Sequence, residues 1–124
     1  MRLFELGATA TELRRKLVAA ALSGEKTATA SLREEYEPAT NEPMPYVGER
    51  CLLLGYNDEP LGVVETTEAR VVRAADVDVQ FALDEGEGFK TVADWRVAHE
   101  QFWRDWKITD NTLVVCVHFR LVKY

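Results

Sequence analysis

"NTLVVCVHFRLVKY", residues 111–124, is the stretch that decides the fold class. Apolar side chains recur at every second position from Leu113 to Leu121, which is the period of a β-strand. The positions between them start apolar and become polar at His118 and Arg120, so the second face is expected to leave the core near the end of the strand. The stretch therefore predicts a final strand with one fully apolar face.

Three further stretches predict strands. "CLLLGY", residues 51–56, predicts a buried strand; the turn "NDEP" follows it, and "LGVVETTEARVV", residues 61–72, predicts a long strand. "KTATASL", residues 26–32, predicts a short strand because threonine favours extended backbone. Hairpin-like connections and segregated helices together predict an α+β fold with a mostly antiparallel sheet or small barrel.

The first helix is predicted near the N-terminus. "TATE", residues 9–12, has the Thr-x-x-Glu form of a capping box, and Gly24 is a natural helix stop. Arg14, Arg15 and Lys16 fall around the polar side of this helix, away from its leucines. These basic residues are expected to face solvent.

The clearest helix is predicted over residues 91–107, and a shorter one over residues 74–83. The apolar face of the long helix has 3,4,3,4 spacing and consists of Val92, Trp95, His99, Phe102 and Trp106. His99 is expected to be a hydrogen-bonded core histidine, and Trp103, which lies off this face, to be partly exposed. Residues 32–50 contain three prolines and predict a long loop, with one helical turn at "LREEY"; such loops are often functional.

Composition and charge limit the function classes. The chain has 124 residues, 47% hydrophobic and 29% charged, which predicts one folded domain over residues 1–124. Its net charge is −6, and residues 34–94 carry fifteen acidic against four basic side chains. Because duplex phosphate binding needs a basic surface, no duplex DNA is expected as a partner. The N-terminus lacks the apolar centre of a signal peptide and no apolar run approaches ~20 residues, so a cytoplasmic location without membrane contact is expected.

The cysteines and histidines predict no metal site. Cys51 and Cys116 lie far apart in apolar surroundings, as buried thiols do, although a disulfide or a reactive thiol would also fit. His99 and His118 show no metal-ligand spacing. No metal and no other cofactor is therefore expected. Asp84, with the glutamates after it in "DEGEG", could hold Mg²⁺, but a flexible acidic turn is the preferred interpretation.

Several segments together resemble one family. "SGEKTAT" (residues 23–29) resembles the G-x-K-x-x-T motif of ASCH-domain proteins. Six further segments are similar to that family in the same order: "REEYE", "EPMPYVGER", "VVETTEARVV", "FALDEGEG", "DWRVAHEQFW" and "VVCVHFRLV". The similarity covers nearly the whole chain. It implies an α+β fold with a small, PUA-like, mostly antiparallel β-barrel flanked by helices, and a cleft between barrel and helices.

The resemblance also implies candidate catalytic residues. Some ASCH proteins hydrolyse acetylated cytidine with a lysine, a threonine three residues later and a distant glutamate; others are described as ribonucleases. The first two fall on Lys26 and Thr29, and the third on Glu85 or Glu87, of which Glu85 has the better interval after "FALD". This chain departs from that group at Phe89, where an aspartate is more usual. It departs again in its last strand, which reads Cys-Val-His-Phe where the group has Cys-Glu-Arg-Phe, and these differences bear on ligand choice.

Residue chemistry agrees with this assignment but leaves two questions. A threonine hydroxyl needs a base to become a nucleophile, and a neutral lysine could serve, whereas a nearby glutamate would oppose that role. Residues three apart point to opposite faces of a regular strand, so Lys26 and Thr29 can cooperate only if the chain bends or Lys26 lies in the turn after Gly24. Thr27, Thr29 and Ser31 share a face and could form a hydroxyl-lined wall.

Other residues are candidates for ligand binding. They are Thr27 and Ser31 on the hydroxyl wall, Tyr36 and Tyr46 in the long loop, Glu65 within a strand, and His118 and Arg120 in the last strand. A loop aromatic can stack on a nucleobase or can pin the loop to the core. The glutamate and the last-strand pair can face the cleft or water.

The sequence therefore predicts a partner that is RNA or a nucleoside. The first hypothesis is a hydrolase of a modified pyrimidine nucleoside such as acetylcytidine, because a nucleoside needs no phosphate neutralisation. The second is a non-catalytic RNA-binding module that uses the same cleft. The third is a ribonuclease, which would need a basic track; the residues available for it are Arg14, Arg15, Lys16, Arg96 and Arg104.

Overall fold

Five strands and three helices make up the computed structural model, which describes residues 1–123. The strands are β1 (Arg2–Phe4), β2 (Ala28–Leu32), β3 (Arg50–Leu54), β4 (Pro60–Arg73) and β5 (Leu113–Leu121). The helices are α1 (Glu12–Ser23), α2 (Val79–Asp84) and α3 (Val92–Phe102), with 3₁₀ turns at Arg33–Glu35, Ala74–Asp76 and Arg104–Trp106. Tyr124, the last residue of the stretch at 111–124, lies outside the described residues.

The strands form one sheet in the order β1-β3-β4-β5-β2. Every pairing is antiparallel except that of β1 with β3, which is parallel. Within the described residues the sheet stays open between its edge strands, β1 and β2, and both edges contribute to the same cavity. The predicted α+β class, with a mostly antiparallel PUA-like sheet flanked by helices, is confirmed.

The sheet is covered on both faces, and β5 is an interior strand between β4 and the edge strand β2. Val114 and Cys116 pack in a core with Trp95 and α2, whereas Phe119 packs in a second core with α1. Because both faces are covered, all residues from 114 to 117 are buried. The prediction that the second face turns polar near the end of the strand is confirmed at His118 and Arg120, which are half-buried and exposed.

The N-terminal segment differs from its prediction in three ways. β1 was not predicted, because three residues are too short for an alternating pattern to be recognised. The N-cap of α1 is Thr11, whose hydroxyl accepts from the Arg14 amide, while Thr9 donates to Asp58 instead. Arg14 was expected to face solvent, but it is 1% exposed: its guanidinium bonds the Gly7 carbonyl at 2.8 Å and Asp58 at 2.5 Å. Sequence spacing could not reveal these distant partners.

The long helix is shorter than predicted, and this changes which tryptophan is buried. α3 ends at Phe102, and the chain then tightens into a 3₁₀ turn. Trp103, expected to be partly exposed, is buried, whereas Phe102 and Trp106 are exposed. The Trp103 amide still donates to the His99 carbonyl at 2.8 Å, so Trp103 lies at helical spacing from Trp95 and His99 and packs with them in the core.

Among residues 1–123, no helix combines the length and the apolar character that crossing a bilayer requires.

Candidate functional site

A cavity of about 660 Å³ lies where the sheet is open. Its walls come from β1 and β2, from the loop after β2, and from the second half of α3. Lys26, Thr29, Glu85 and Glu87, the four residues predicted to be catalytic, all line it. The structure therefore brings together residues that are up to about sixty positions apart in sequence.

Lys26 reaches this cavity because of the way α1 ends. Gly24 adopts the left-handed conformation at φ 88°, and the Lys26 amide donates to the Ala20 carbonyl at 3.0 Å. β2 starts only at Ala28, so Lys26 lies in the turn and not in the strand. Because Lys26 is outside the strand, strand alternation does not force the Lys26 and Thr29 side chains to opposite faces. The two residues could cooperate only under this condition.

The Lys26 side chain is 2% exposed and sits among acceptors. Its Nζ atom donates to the Glu85 main-chain carbonyl at 3.1 Å and to Glu87 Oε2 at 3.2 Å. Glu85 Oε1 lies 3.9 Å from the same nitrogen. Two carboxylates around one buried amine are the surroundings of an ammonium ion, which donates hydrogen bonds and accepts none.

Glu85 is 1% exposed and is held on all sides. Its Oε2 atom accepts a hydrogen bond from the Trp95 indole Nε1 and lies 3.4 Å from His99 Nε2. The His99 ring stacks on Trp95 with centroids 4.1 Å apart, and its Nδ1 atom lies 2.8 Å from the Trp95 carbonyl. The carboxyl group therefore has a fixed orientation between a lysine, an indole and an imidazole.

Glu87 differs from Glu85 in its access to solvent. Its side chain is 24% exposed, and its described hydrogen bond is the one from Lys26. Of the two alternatives left open by the sequence, Glu85 is thus the buried carboxylate and Glu87 the one at the cavity's rim.

The acidic turn that carries both glutamates is fixed to the start of β2. The Thr27 amide donates to the Asp84 carbonyl at 2.8 Å. Gly86, at φ 66°, lies against the main chain of Glu25 and Lys26, where a side chain would meet backbone. Asp78 caps the preceding helix α2 by accepting from the Phe81 amide at 2.8 Å.

A second wall of the cavity is made of hydroxyl groups. Thr29 pairs with Val117 and Ser31 with Val115 in the register of β2 and β5, so the two hydroxyl residues lie on one face. The Ser31 hydroxyl is 2.7 Å from the Tyr36 hydroxyl. Burial raises the pKa of Tyr36 above its ordinary value, against the opposing effect of the Ser31 bond.

Sequence reasoning did not identify the far end of the cavity. Arg2 on β1 donates to Glu49 through Nη2 at 2.7 Å and Nε at 3.0 Å, and Thr66 is buried beside them. Arg2 was not identified because the short strand β1 was not predicted from the sequence. The feature that could have indicated this part of the site is Glu49, a charged residue directly before a buried strand.

Five predicted ligand-binding residues lie outside this cavity. Thr27 lines a smaller hollow near the end of α1, and Tyr46 is 61% exposed on the loop. Glu65 lies between Arg50 and Arg120, both at 3.1 Å, and these hydrogen bonds lower the pKa of its carboxyl. His118 Nε2 lies 3.1 Å from Asp84 Oδ2, outside the cavity lining.

The described lining is acidic. The acidic residues are Glu5, Glu35, Glu42, Glu49, Glu85 and Glu87, and the basic ones are Arg2 and Lys26. Both basic groups are engaged by carboxylates. Such a lining disfavours phosphate groups by like-charge repulsion. Among residues 1–123, no cluster of three or more His, Cys, Asp or Glu side chains is arranged to hold a metal ion.

Comparison with known proteins decides the family. A family model described as the ASCH domain matches residues 4–123. The chain belongs to the ASCH-domain family. The resemblance inferred from the sequence motifs is thereby confirmed.

Solved structures agree with this assignment. An ASCH domain from Lactobacillus crispatus JV V101 is 28% identical, with a TM-score of 0.83 over 99% of this chain and 80% of that one. Protein EF3133 from Enterococcus faecalis V583 is 26% identical, with a TM-score of 0.86 over 98% of this chain and 76% of that one. The hypothetical protein PH0355, at 15% identity and a TM-score of 0.58 over 89% and 94% of the two chains, shares the fold alone. No curated protein matches this ASCH domain.

Proposed function

We propose that this ASCH domain hydrolyses an acylated exocyclic amine on a pyrimidine nucleoside, such as that of acetylcytidine. The observation that carries the proposal is the buried Lys26, bonded to Glu87 and to the Glu85 main chain in a cavity that Thr29 also lines. Buried, paired ionisable groups at a cavity are typical of catalytic sites.

The contacts favour particular roles for these residues. Lys26, bonded as an ammonium group, suits stabilisation of the oxyanion better than removal of a proton. A carboxylate then acts as the base: Thr29 Oγ1 attacks the acyl carbon while its proton passes to Glu85. When the carbon–nitrogen bond breaks, that proton passes to the leaving amine, and water hydrolyses the resulting threonyl ester. A neighbouring glutamate keeps a lysine charged, which would oppose a lysine base. In this arrangement the lysine acts in its charged form, so the glutamate supports its role.

Shape and charge support a nucleoside as the substrate. A cavity of about 660 Å³ is within the usual range for small-molecule sites. The acidic lining favours a ligand without phosphate. The hydroxyls of Thr29, Ser31 and Tyr36 can donate to or accept from the edge of a base.

The ribonuclease alternative has less support. A ribonuclease would need a basic track that binds the RNA strand. Of the basic residues available for it, Arg14 is buried, and Arg96 bonds Asp110 at 2.9 Å. Non-catalytic RNA binding is the remaining alternative, since PUA-like folds are often linked to RNA. Phosphate-driven binding weakens steeply as salt rises, whereas nucleoside binding does not.

The first test is mass spectrometry of acetylcytidine and short RNA incubated with the wild type, Lys26→Ala and Lys16→Ala. Lys16 is an exposed lysine on α1 and serves as the matched control. The proposal expects release of cytidine by the wild type and Lys16→Ala but not by Lys26→Ala. Shortened RNA that disappears in Lys26→Ala would support a ribonuclease instead. If neither substrate changes, hydrolysis of acetylcytidine is excluded, and salt-dependent RNA binding becomes the next measurement.

A further inference from the structure

The buried side chains of Glu85 and His99 face each other in a contact that the sequence did not suggest. His99 Nδ1 lies 2.8 Å from the Trp95 carbonyl oxygen. A carbonyl can only accept, so Nδ1 must carry a hydrogen. The other ring nitrogen, Nε2, is therefore the one that gains or loses a proton, and it is the nitrogen that faces Glu85 Oε2 at 3.4 Å.

An unprotonated pair would be unfavourable in this position. The Nε2 lone pair would then face a carboxylate oxygen in a site where Glu85 is 1% exposed. One proton on either group removes that repulsion, as a hydrogen on Nε2 or on the carboxyl oxygen. Trp95 Nε1 donates to the same oxygen but brings no net charge.

Charge balance across the site leads to the same conclusion. Lys26 and Glu87 form one ion pair at 3.2 Å. If the Glu85–His99 pair holds one proton, its own net charge is zero, and so is that of the four groups together. If it holds none, a net negative charge is left buried, which costs free energy.

The surroundings of His99 leave few other groups to alter this balance. Aromatic rings cover it from three positions: Trp95 on α3, Trp103 at the end of α3, and Phe89 in the turn before α3. Glu85 is the charged group that faces the ring among the described residues, and Lys26 and Glu87 lie behind it. Burial raises the pKa of Cys116, beneath this site on β5, to about 12, so that thiol stays neutral.

We propose that Glu85 and His99 share one proton in the resting protein, and that His99 is a positioning residue that sets the protonation of Glu85. The second part rests on the proposed hydrolysis, in which Glu85 takes the threonine proton and returns it to the leaving amine. The first part is independent of any activity. The Glu85–His99 pair therefore holds the same number of protons before and after the reaction.

Nitrogen-15 NMR of the histidine rings tests the shared proton directly. The chain has two histidines, and His118 is an internal control because its partner is Asp84 at 3.1 Å. We expect His99 Nδ1 to carry a hydrogen, and the signals of His99 Nε2 and the Glu85 carboxyl carbon to change together. A His99 ring with an unprotonated Nδ1, or two groups that titrate independently, would overturn the proposal without any variant.

Matched variants separate the two pairs. Glu85→Gln should change the nitrogen-15 chemical shift of His99 Nε2, which faces the Glu85 carboxyl group at 3.4 Å, and leave that of His118 unchanged. Asp84→Asn should do the reverse. An unmoved His99 in a folded Glu85→Gln protein would exclude the pairing.

The pH profile of a His99 variant tests the positioning role of His99 separately. His99→Asn keeps a donor near the Trp95 carbonyl and removes the group that faces Glu85. We expect it to change the pH profile of cytidine release, with KM little changed, because Glu85 no longer exchanges a proton with the His99 ring. An unmoved pH profile in an active His99→Asn protein would exclude the role while the proposed function stands. Absence of hydrolysis in the wild type would instead remove the proposed function and leave the NMR test of the shared proton intact.

Discussion

Gly86 lies directly against the main chain at Lys26: a Cβ atom on Gly86 would come within 2.8 Å of the Lys26 Cα atom, and closer still to the Glu25 carbonyl. This approach lets the acidic turn place Glu85 and Glu87 around the lysine ammonium group. The glycines of "DEGEG" therefore do more than make the turn flexible. Gly86, the first of them, sets the distance between the acidic turn and the Lys26 main chain.

Gly86→Ala should disrupt the site. The new methyl group cannot fit beside backbone, so the turn must move away from Lys26 and lengthen the Lys26–Glu87 contact. We expect loss of nucleoside binding in calorimetry, together with lower stability in urea unfolding.

Gly88→Ala is the matched control for this change. Gly88 also has a positive φ, 88°, but a Cβ there meets nothing within 4 Å. It should cost only the left-handed backbone strain, about 1–2 kcal/mol, and leave binding unchanged. Equal loss of binding in both variants would mean that backbone strain, and not the close approach to Lys26, explains the effect.

Thr29→Ala should lower turnover by more than about a thousandfold, since it removes the proposed nucleophile. The fold should persist, because the β2 and β5 main chains keep their pairing. Turnover of acetylcytidine and the circular dichroism spectrum measure the two effects. Thr27→Ala, outside the cavity, should retain activity. An active Thr29→Ala protein would remove Thr29 from the nucleophile role.

Glu85→Gln and Glu87→Gln should differ greatly in kcat. Glu85 is buried against Trp95 and His99, and loss of a general acid–base group costs about 10²–10⁴-fold. Glu87 is at the rim and contacts only Lys26 among its described hydrogen-bond partners, so we expect less than about a tenfold effect. Comparing kcat for the two variants checks this. Full activity in both would show that the acidic turn is scaffold.

Local features of the site could be predicted from the sequence. Gly24 marks the helix end that puts Lys26 in a turn, and the alternation in β2 puts Thr29 and Ser31 on one face. These predictions depend on neighbours within a few residues. The side chains at 26, 29, 85 and 87 were assigned through the family motif, and their convergence on one cavity is a property of the fold.

Features that depend on distant contacts could not be predicted. Arg14 is buried because its partner Asp58 lies 44 positions away. Arg2 meets Glu49 across 47 positions, through a strand too short to show a pattern. His99 was correctly expected to be hydrogen-bonded and buried, but its proximity to Glu85 follows from the turn before α3, which no periodicity describes.

Cys116 should destabilise the protein at alkaline pH. Burial raises the pKa of its thiol from 9.0 to about 12. Between these values the unfolded chain releases the thiol proton while the folded protein keeps it. The stabilising contribution is therefore complete below pH 9 and is lost as the pH rises towards 12. The free energy of unfolding in urea, measured at steps from pH 7 upward, should fall in this window.

Cys116→Ala separates this effect from other alkaline titrations. It should be less stable than the wild type at pH 7, because a buried side chain becomes smaller, but its stability should fall less steeply above pH 9. Tyr36→Phe is the companion variant: the Tyr36 pKa is also raised by burial, from 10.0, so its contribution is lost only at higher pH. Parallel curves for the wild type and Cys116→Ala above pH 9 would show that the thiol is not the group responsible. A slope reduced in Cys116→Ala near pH 9, and in Tyr36→Phe only above pH 10, would assign those two parts of the alkaline loss to Cys116 and Tyr36; Cys51, whose pKa burial also raises, is retained in both variants.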